Sequence, residues 1–379
     1  MLENEFLEPT LNQLITYKNE KKIRLALIAT VFINSAFMAN AASYRVNSKG
    51  GAHFVSVAEA MATTISSQYY VQAGDTLYAE PGHVEPGDVT LNKKIILIGP
   101  GYNFAETGNN IMNAESAVFR TISASSTFSE IHGCVANNID LGSYCVANRC
   151  KVANQIGING DGCEITNCYI KKIYLNTYGG DLSGVKIIGN IICSYINKYN
   201  SYNCISFTIA NNTIVASSNG YILNQLNQNY HTCEIYNNVI INTNTNLVSA
   251  SEDTVSRYTN YTIQPDLLID NSIHHNVLST VQCPGSNTIC NVATNVYGAT
   301  MESTFVNNGL MEGQYELKSG SPAAGAASDG GDCGAYGGVK PYKKGGQPAG
   351  IPYIYDATFS NPSDNNTINA TFKVRITNE

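Results

Sequence analysis

Tyrosines and carboxylates recur in this chain at intervals that could line a sugar-binding groove. Tyr178 with Asp181 forms one group, Tyr199 with Tyr202 a second, and Tyr230 with His231 a third. Glu252, Asp253, Arg257 and Tyr258, followed by Tyr261, form the fourth. Aromatic rings present apolar faces to pyranose rings, while carboxylates and a guanidinium hold hydroxyls. Elimination chemistry would use similar types, and Asp161, Asp181, Lys171, Lys172, Lys186 and Arg257 supply acids and cationic bases. Such a base needs burial or a neighbouring charge to bring its pKa near the working pH. Glycosidic hydrolysis would need two carboxylates about 5–10 Å apart. No paired-aspartate motif occurs, and Asp329 and Asp332 fall among turn residues, so the catalytic residues stay unassigned. No Cys/His spacing suits zinc, and no metal site is assigned.

These side chains hang on a repeat. Cys163-Glu-Ile-Thr-Asn-Cys-Tyr-Ile170 is answered by segments beginning at Val185, Phe207, Cys233 and Asn271. Aligned, they give one apolar column (Ile165, Ile187, Ile209, Ile235, Ile273) and another at Ile170, Ile192, Ile214, Ile240 and Leu278. Between them run Cys168, Asn190, Asn212, Asn238 and Asn276. A period of about 20–50 residues marks a solenoid. Each unit reads as two short strands around a tight bend, with β-branched residues and no helical stretch. Asparagine tolerates the left-handed bend, and its amide can bond the equivalent residue one coil away. Cys168 predicts a gap in that ladder. His275, in the bend column with Asn211 and Asn237, takes a structural role.

The ladder resembles that of the pectate-lyase-like right-handed parallel β-helix. Val71-Gln-Ala-Gly-Asp-Thr-Leu-Tyr-Ala-Glu-Pro-Gly82 and the strand ending at Gly99 resemble the opening coils of such exported proteins. Thr304-Phe-Val-Asn-Asn308, Tyr315–Gly325 and Asp332-Cys-Gly-Ala-Tyr-Gly-Gly338 resemble the terminal segment of the choice-of-anchor Q group. Ala327 and Gly337 depart from that group's pattern. The resemblance implies an all-β, right-handed parallel β-helix at a surface, without implying one reaction. Were the protein a lyase of this kind, Ca2+ held by carboxylates would be its cofactor; otherwise none is expected.

Composition narrows the partners. Net charge is −7 with six arginines among 379 residues, which disfavours a nucleic-acid groove. There is no Trp, so sugar stacking would fall to the 24 tyrosines. Of the 11 cysteines, Cys163 and Cys233 share a strand column, and Cys145 and Cys150 flank Asn148 at apolar positions. These are read as buried thiols acting as small hydrophobes. Cys283 with Cys290 is the best local pair for a disulfide.

In chain order, residues 1–41 read as a prefix and signal peptide. Lys21, Lys22 and Arg24 precede the apolar run Leu25–Ile33, and Ala39-Asn-Ala41 offers a cleavage site. The mature chain should lack a membrane span. Residues 42–69 form an N-terminal cap with a short helix from Ser56, and 70–338 the β-helix. Residues 339–379 form a C-terminal β-hairpin, expected to pack on the last coil and cover its open edge. Two less regular copies, Cys134–Ile139 and Cys145–Cys150, and a later one, Val292–Tyr297, extend the array. With the Asn bend between second and third strands, the remaining strand of each coil falls near Ile173–Leu175, Tyr195–Asn197, Tyr221–Leu223 and Asn246–Val248. The loops after them carry the tyrosines and charges named first.

The expected function is that of a secreted or cell-surface β-helix, monomeric, that binds a polysaccharide or cell-surface glycan without catalysis. A polysaccharide lyase or related enzyme acting on uronate polymers is the alternative, and a structural spacer a third reading.

Overall fold

A computed structural model describes residues 41–103, 115–176, 181–199, 206–216, 223–224, 232–243, 272–279, 293–307, 311–348, 352–359 and 370–376. Two long parallel sheets built from consecutive strands make it a parallel β-helix. The first sheet stacks ten strands in sequence order: Ser43–Val46, Thr76–Ala79, Ile96–Ile98, Glu130–His132, Val146–Asn148, Glu164–Thr166, Val185–Ile188, Ser206–Ala210, Thr232–Tyr236 and Ser272–His274. The isoleucine column is in register, Ile165 against Ile187, then Ile209, Ile235 and Ile273. It continues upstream through Ala147, Ile131, Leu97 and Leu77. The second apolar column, from Ile170 to Leu278, is equally in register. Stacking puts each inward side chain on its own kind one coil away, and full burial of an isoleucine is worth about 1.5–3 kcal/mol.

Counting each coil from the strand that precedes its bend, the second and third strands of several coils run on as one long strand broken by a bulge. In Tyr169–Asn176 the register shifts between Ile170 and Lys172. The third strands then pair as Ile173 with Ile196 and Ile196 with Leu223, within two residues of the positions expected from sequence. The fourth expected strand, Asn246–Val248, lies outside the described residues. One departure concerns Cys134, which stands level with Cys150 rather than Cys145, because Val135 pairs with Lys151 in the second sheet.

At the bends Gly133, Arg149, Asn167, Gly189, Asn211, Asn237 and His275 all have φ between 52° and 69°. The residue after each bend points inward and forms the ladder. The Asn212 carboxamide oxygen accepts from Asn190 N at 2.9 Å and Asn190 Nδ2 at 3.0 Å. Asn238 serves Asn212 in the same way, Asn276 serves Asn238, and Asn295 serves Asn276. The expected gap at Cys168 is filled by sulfur. Its thiol faces the carbonyls of Thr166 (3.2 Å) and Ala147 (3.5 Å), the counterparts of the Ile188 and Ile165 carbonyls to which Asn190 donates. Cys150 does the same toward Asn148 and Ile131. The thiols of Cys134, Cys145, Cys150, Cys163 and Cys168 are buried and unbridged, as small inward residues. Cys283 and Cys290 lie outside the described residues.

The short helix Val57–Met61 begins where expected, with the Ser56 hydroxyl accepting from Glu59 N at 3.0 Å. Buried Glu85 accepts from Val57 N (2.8 Å) and Ala58 N (3.1 Å), holding the helix on the first coils. His83 Nδ1 accepts from Ser48 N, which leaves Nε2–H to donate to Glu85 at 2.9 Å.

Past the last coil the chain turns back. Cys333 meets the His275 carbonyl, Gly334 N donates to Asn237 O, and Gly338 lies against Asn211. Lys340 O faces Gly189, Arg149 donates to Gln347 O at 2.6 Å, and Pro348 packs on Gly133. This strap crosses the bends in reverse order, and it relocates the hairpin. Strands Pro352–Phe359 and Ala370–Ile376 form the expected antiparallel pair. Pro348 precedes Pro352 by four residues, a reach of about 14 Å, whereas the coil of His275 lies six steps, about 29 Å, from that of Gly133. The hairpin therefore does not start on the last coil, and Ala370–Ile376 is exposed throughout rather than packed over an edge. Among the described residues no helix is long and apolar enough to cross a membrane.

Candidate functional site

The turns that lead from a third strand into the next first strand bring polar side chains and exposed rings together. Ser143, Asn159, Gly160, Asp161, Asn176, Asp181 and Leu182 line an open pocket of about 170 Å³ spanning successive turns. Asn176 Nδ2 donates to Asn159 Oδ1 at 2.9 Å, and Asp161 Oδ1 accepts from Ser183 N at 2.7 Å, so amide and carboxylate are oriented before any ligand arrives. Gly160 is required there, because a Cβ would lie 2.4 Å from the Ser143 hydroxyl oxygen.

Beside the pocket stand two exposed aromatic rings. Phe128 and Tyr144 stack with centroids 5.0 Å apart and planes 13° from parallel, and are 52% and 49% exposed. Both have positive φ, 62° and 59°. For bulky residues that geometry is an outlier, and costs about 1–3 kcal/mol each. The backbone holds it: Phe128 N donates to Ser143 O, Tyr144 N to Asp161 O at 2.6 Å, and Gly162 N to Ser183 O. Gly162 occupies the same turn position one coil on, and a Cβ there would strike the Tyr144 ring at 2.3 Å. The Lys94 ammonium lies 5.5 Å from the Phe128 centroid.

The outer face of the third strands continues this surface. Asn154 donates to Asn138 at 2.7 Å, and Asn138 to Thr121 at 3.5 Å. The Tyr174 and Tyr195 hydroxyls share a 2.7 Å hydrogen bond, and Lys172 sits over the Tyr174 ring. The bond to Tyr174, then burial, raises the Tyr195 pKa. Burial raises that of Asp140, partly offset by a hydrogen bond from Ser123.

Of the site residues expected from sequence, Asp181 is in the pocket, together with Asp161. Tyr199 ends the strand Ile196–Tyr199 opposite Asn176, with only its backbone described. Tyr178, Tyr202, Tyr230, His231, Glu252, Asp253, Arg257, Tyr258 and Tyr261 lie outside the described residues. Lys171, Lys172 and Lys186 do not line the pocket, and Lys186 stands in register beside Glu164 on the first sheet. Among the described residues no group of three or more His, Cys, Asp or Glu could hold a metal ion.

Phe128 and Tyr144 escape the sequence reading, although a signal exists. Each stands three residues before an inward column residue, Ile131 or Ala147, where later coils have Gly162 and Gly184. A glycine column broken by two aromatic residues marks side chains forced outward. Comparisons with protein families, curated proteins and solved structures find no match for this chain.

Proposed function

We propose that this is an exported, pectate-lyase-like β-helix protein that binds a polysaccharide or cell-surface glycan without cleaving it. One observation carries the reading: hydroxyl, amide and carboxylate side chains converge in a pocket beside two exposed rings held in a strained conformation. Rigid aromatic edges and pre-oriented polar groups are what a sugar surface needs, because little entropy is lost when the ligand seats. Export rests on the basic and apolar segments before Ala42, and surface location on the terminal phrases that resemble the choice-of-anchor Q group.

A glycan array followed by titration calorimetry tests the reading. Binding that weakens at least tenfold in Asn176→Ala and Tyr144→Ala supports it; the absence of binding to any glycan refutes it. The lyase alternative needs a cationic base at the pocket, and among the described residues the lining holds no Lys, Arg or His. Release of unsaturated products from uronate polymers with calcium would establish that alternative instead.

A further inference from the structure

The strap has a consequence for how this array behaves. In a simple solenoid each coil touches only its neighbours, so stability is a sum of nearest-neighbour terms and terminal coils can open alone. Here residues 328–348 touch bends from His275 back to Gly133, and beyond it the turn at Gly101 and Tyr102. Asn237 exchanges two hydrogen bonds with Ser328, from Nδ2 at 3.1 Å and to Oδ1 at 2.9 Å. Thr213 Oγ1 accepts from Ala335 N at 3.0 Å, and the Arg149 guanidinium donates to Gln347 O across 198 residues of chain. The far end is set in a buried polar knot. The Tyr102 hydroxyl bonds Tyr342 at 2.8 Å, 240 residues away, and Tyr342 donates to buried Glu312. Asn103 and Gly345 N also donate to Glu312, at 3.1 and 3.2 Å.

The strap is seated, not stretched. From Cys333 to Pro348 it has far more chain than the roughly 29 Å of stack it crosses, and it spends the excess on turns at Gly334, Gly338, Gly345 and Gly346, all of positive φ. It lies too close for side chains: a Cβ on Gly338 would come 2.7 Å from the Asn211 side chain, and one on Gly346 would come 2.2 Å from the Tyr102 ring. We infer that residues 328–348 act as an intramolecular clasp that couples the coils from that of Tyr102 to that of His275, so that this stretch of the array opens as one unit instead of unwinding coil by coil. A coil between those of Gly133 and His275 cannot leave the stack without breaking the clasp contacts made at its own or its neighbours' bends.

The test uses the full mature chain. In denaturant, far-UV circular dichroism and tyrosine fluorescence should give one coincident transition, and Gly338→Val and Gly346→Val should split or broaden it. Coincident transitions of unchanged slope in a folded clasp variant would overturn the coupling. If those variants do not fold, the wild-type chain answers alone through Cys333, whose buried thiol faces the His275 carbonyl beneath the clasp. Labelling of Cys333 at the rate of global unfolding supports the clasp. Labelling a hundredfold faster, with the ladder amides still protected from hydrogen exchange, overturns it.

Discussion

The Cys168 backbone N–H donates to the Asn190 carboxamide oxygen at 2.9 Å, and at that contact the interior ladder changes chemistry. Downstream every rung is an asparagine. Upstream the inward residues are Cys168, Cys150 and Cys134, and Cys168 sulfur accepts from Cys150 N at 3.3 Å as an asparagine oxygen would. An amide accepts from the previous coil and donates to two carbonyls with ordinary strength. A thiol does both weakly. The ladder is continuous, but its hydrogen bonding is stronger in the second half of the stack.

Truncating a rung should expose that difference. Asn212→Ala and Asn238→Ala each leave buried N–H and C=O groups without their partner, a loss of about 1–3 kcal/mol. Cys168→Ala should cost less, about 1 kcal/mol, because the bonds it removes are weak. Chemical denaturation of the three variants measures this. Equal losses would mean that packing, not hydrogen bonding, sets the value of a rung.

The sequence reading succeeded where the structure is periodic. Ile165, Ile187, Ile209 and Ile235 face one interior under one constraint, so their spacing carries the coil phase and, with it, the third strands. It failed where contacts are aperiodic. The clasp is held by bonds in which at least one partner is backbone, such as Gly334 N with Asn237 O and the Arg149 guanidinium with Gln347 O; no side-chain pattern announces such bonds. Likewise Asp161 and Asp181 stand 20 residues apart in sequence and meet only because one coil stacks on the next.

Glu85 should be the residue on whose side chain the N-terminal cap depends most. It is buried and accepts two helix N–H groups and the His83 ring. Glu85→Ala should lower stability by about 2–3 kcal/mol, with Glu85→Gln intermediate because one acceptor survives. Hydrogen exchange at Val57 and Ala58 should rise first. Unchanged protection there would show that the helix is held by packing alone.

Alkaline pH should unfold the protein through its thiols. Burial raises the pKa of Cys163 from 9.0 to about 12, and burial with the nearby Asp332 and Asp329 charges takes Cys333 to about 12. Burial also pushes Cys134 and Cys168 well above the usual range. A raised folded pKa means that the native state holds protons the unfolded chain releases. The stabilisation is complete below pH 9 and is lost between about pH 9 and 12, at about 1.4 kcal/mol per pH unit for each such thiol. Urea midpoints across that range should fall more gently in Cys163→Ala. An identical slope would remove this thiol from the linkage.

The strained rings allow stability and binding to be separated. Tyr144→Gly gives the turn the residue that Gly162 and Gly184 supply on later coils, both of positive φ. It relieves about 1–3 kcal/mol of backbone strain and loses a stacking contact worth about 0.5–1.5 kcal/mol, so the melting temperature should hold or rise slightly. Glycan affinity should fall at least tenfold. Tyr144→Phe keeps ring and strain and removes only the hydroxyl, so it should bind nearly as wild type if ring contact dominates. A strained residue kept for a ligand must show this opposition: the glycine variant gains or keeps stability and loses binding. Should Tyr144→Gly melt far below wild type, the Phe128–Tyr144 pair would be holding the turn together, and the rings would have no claim to a sugar.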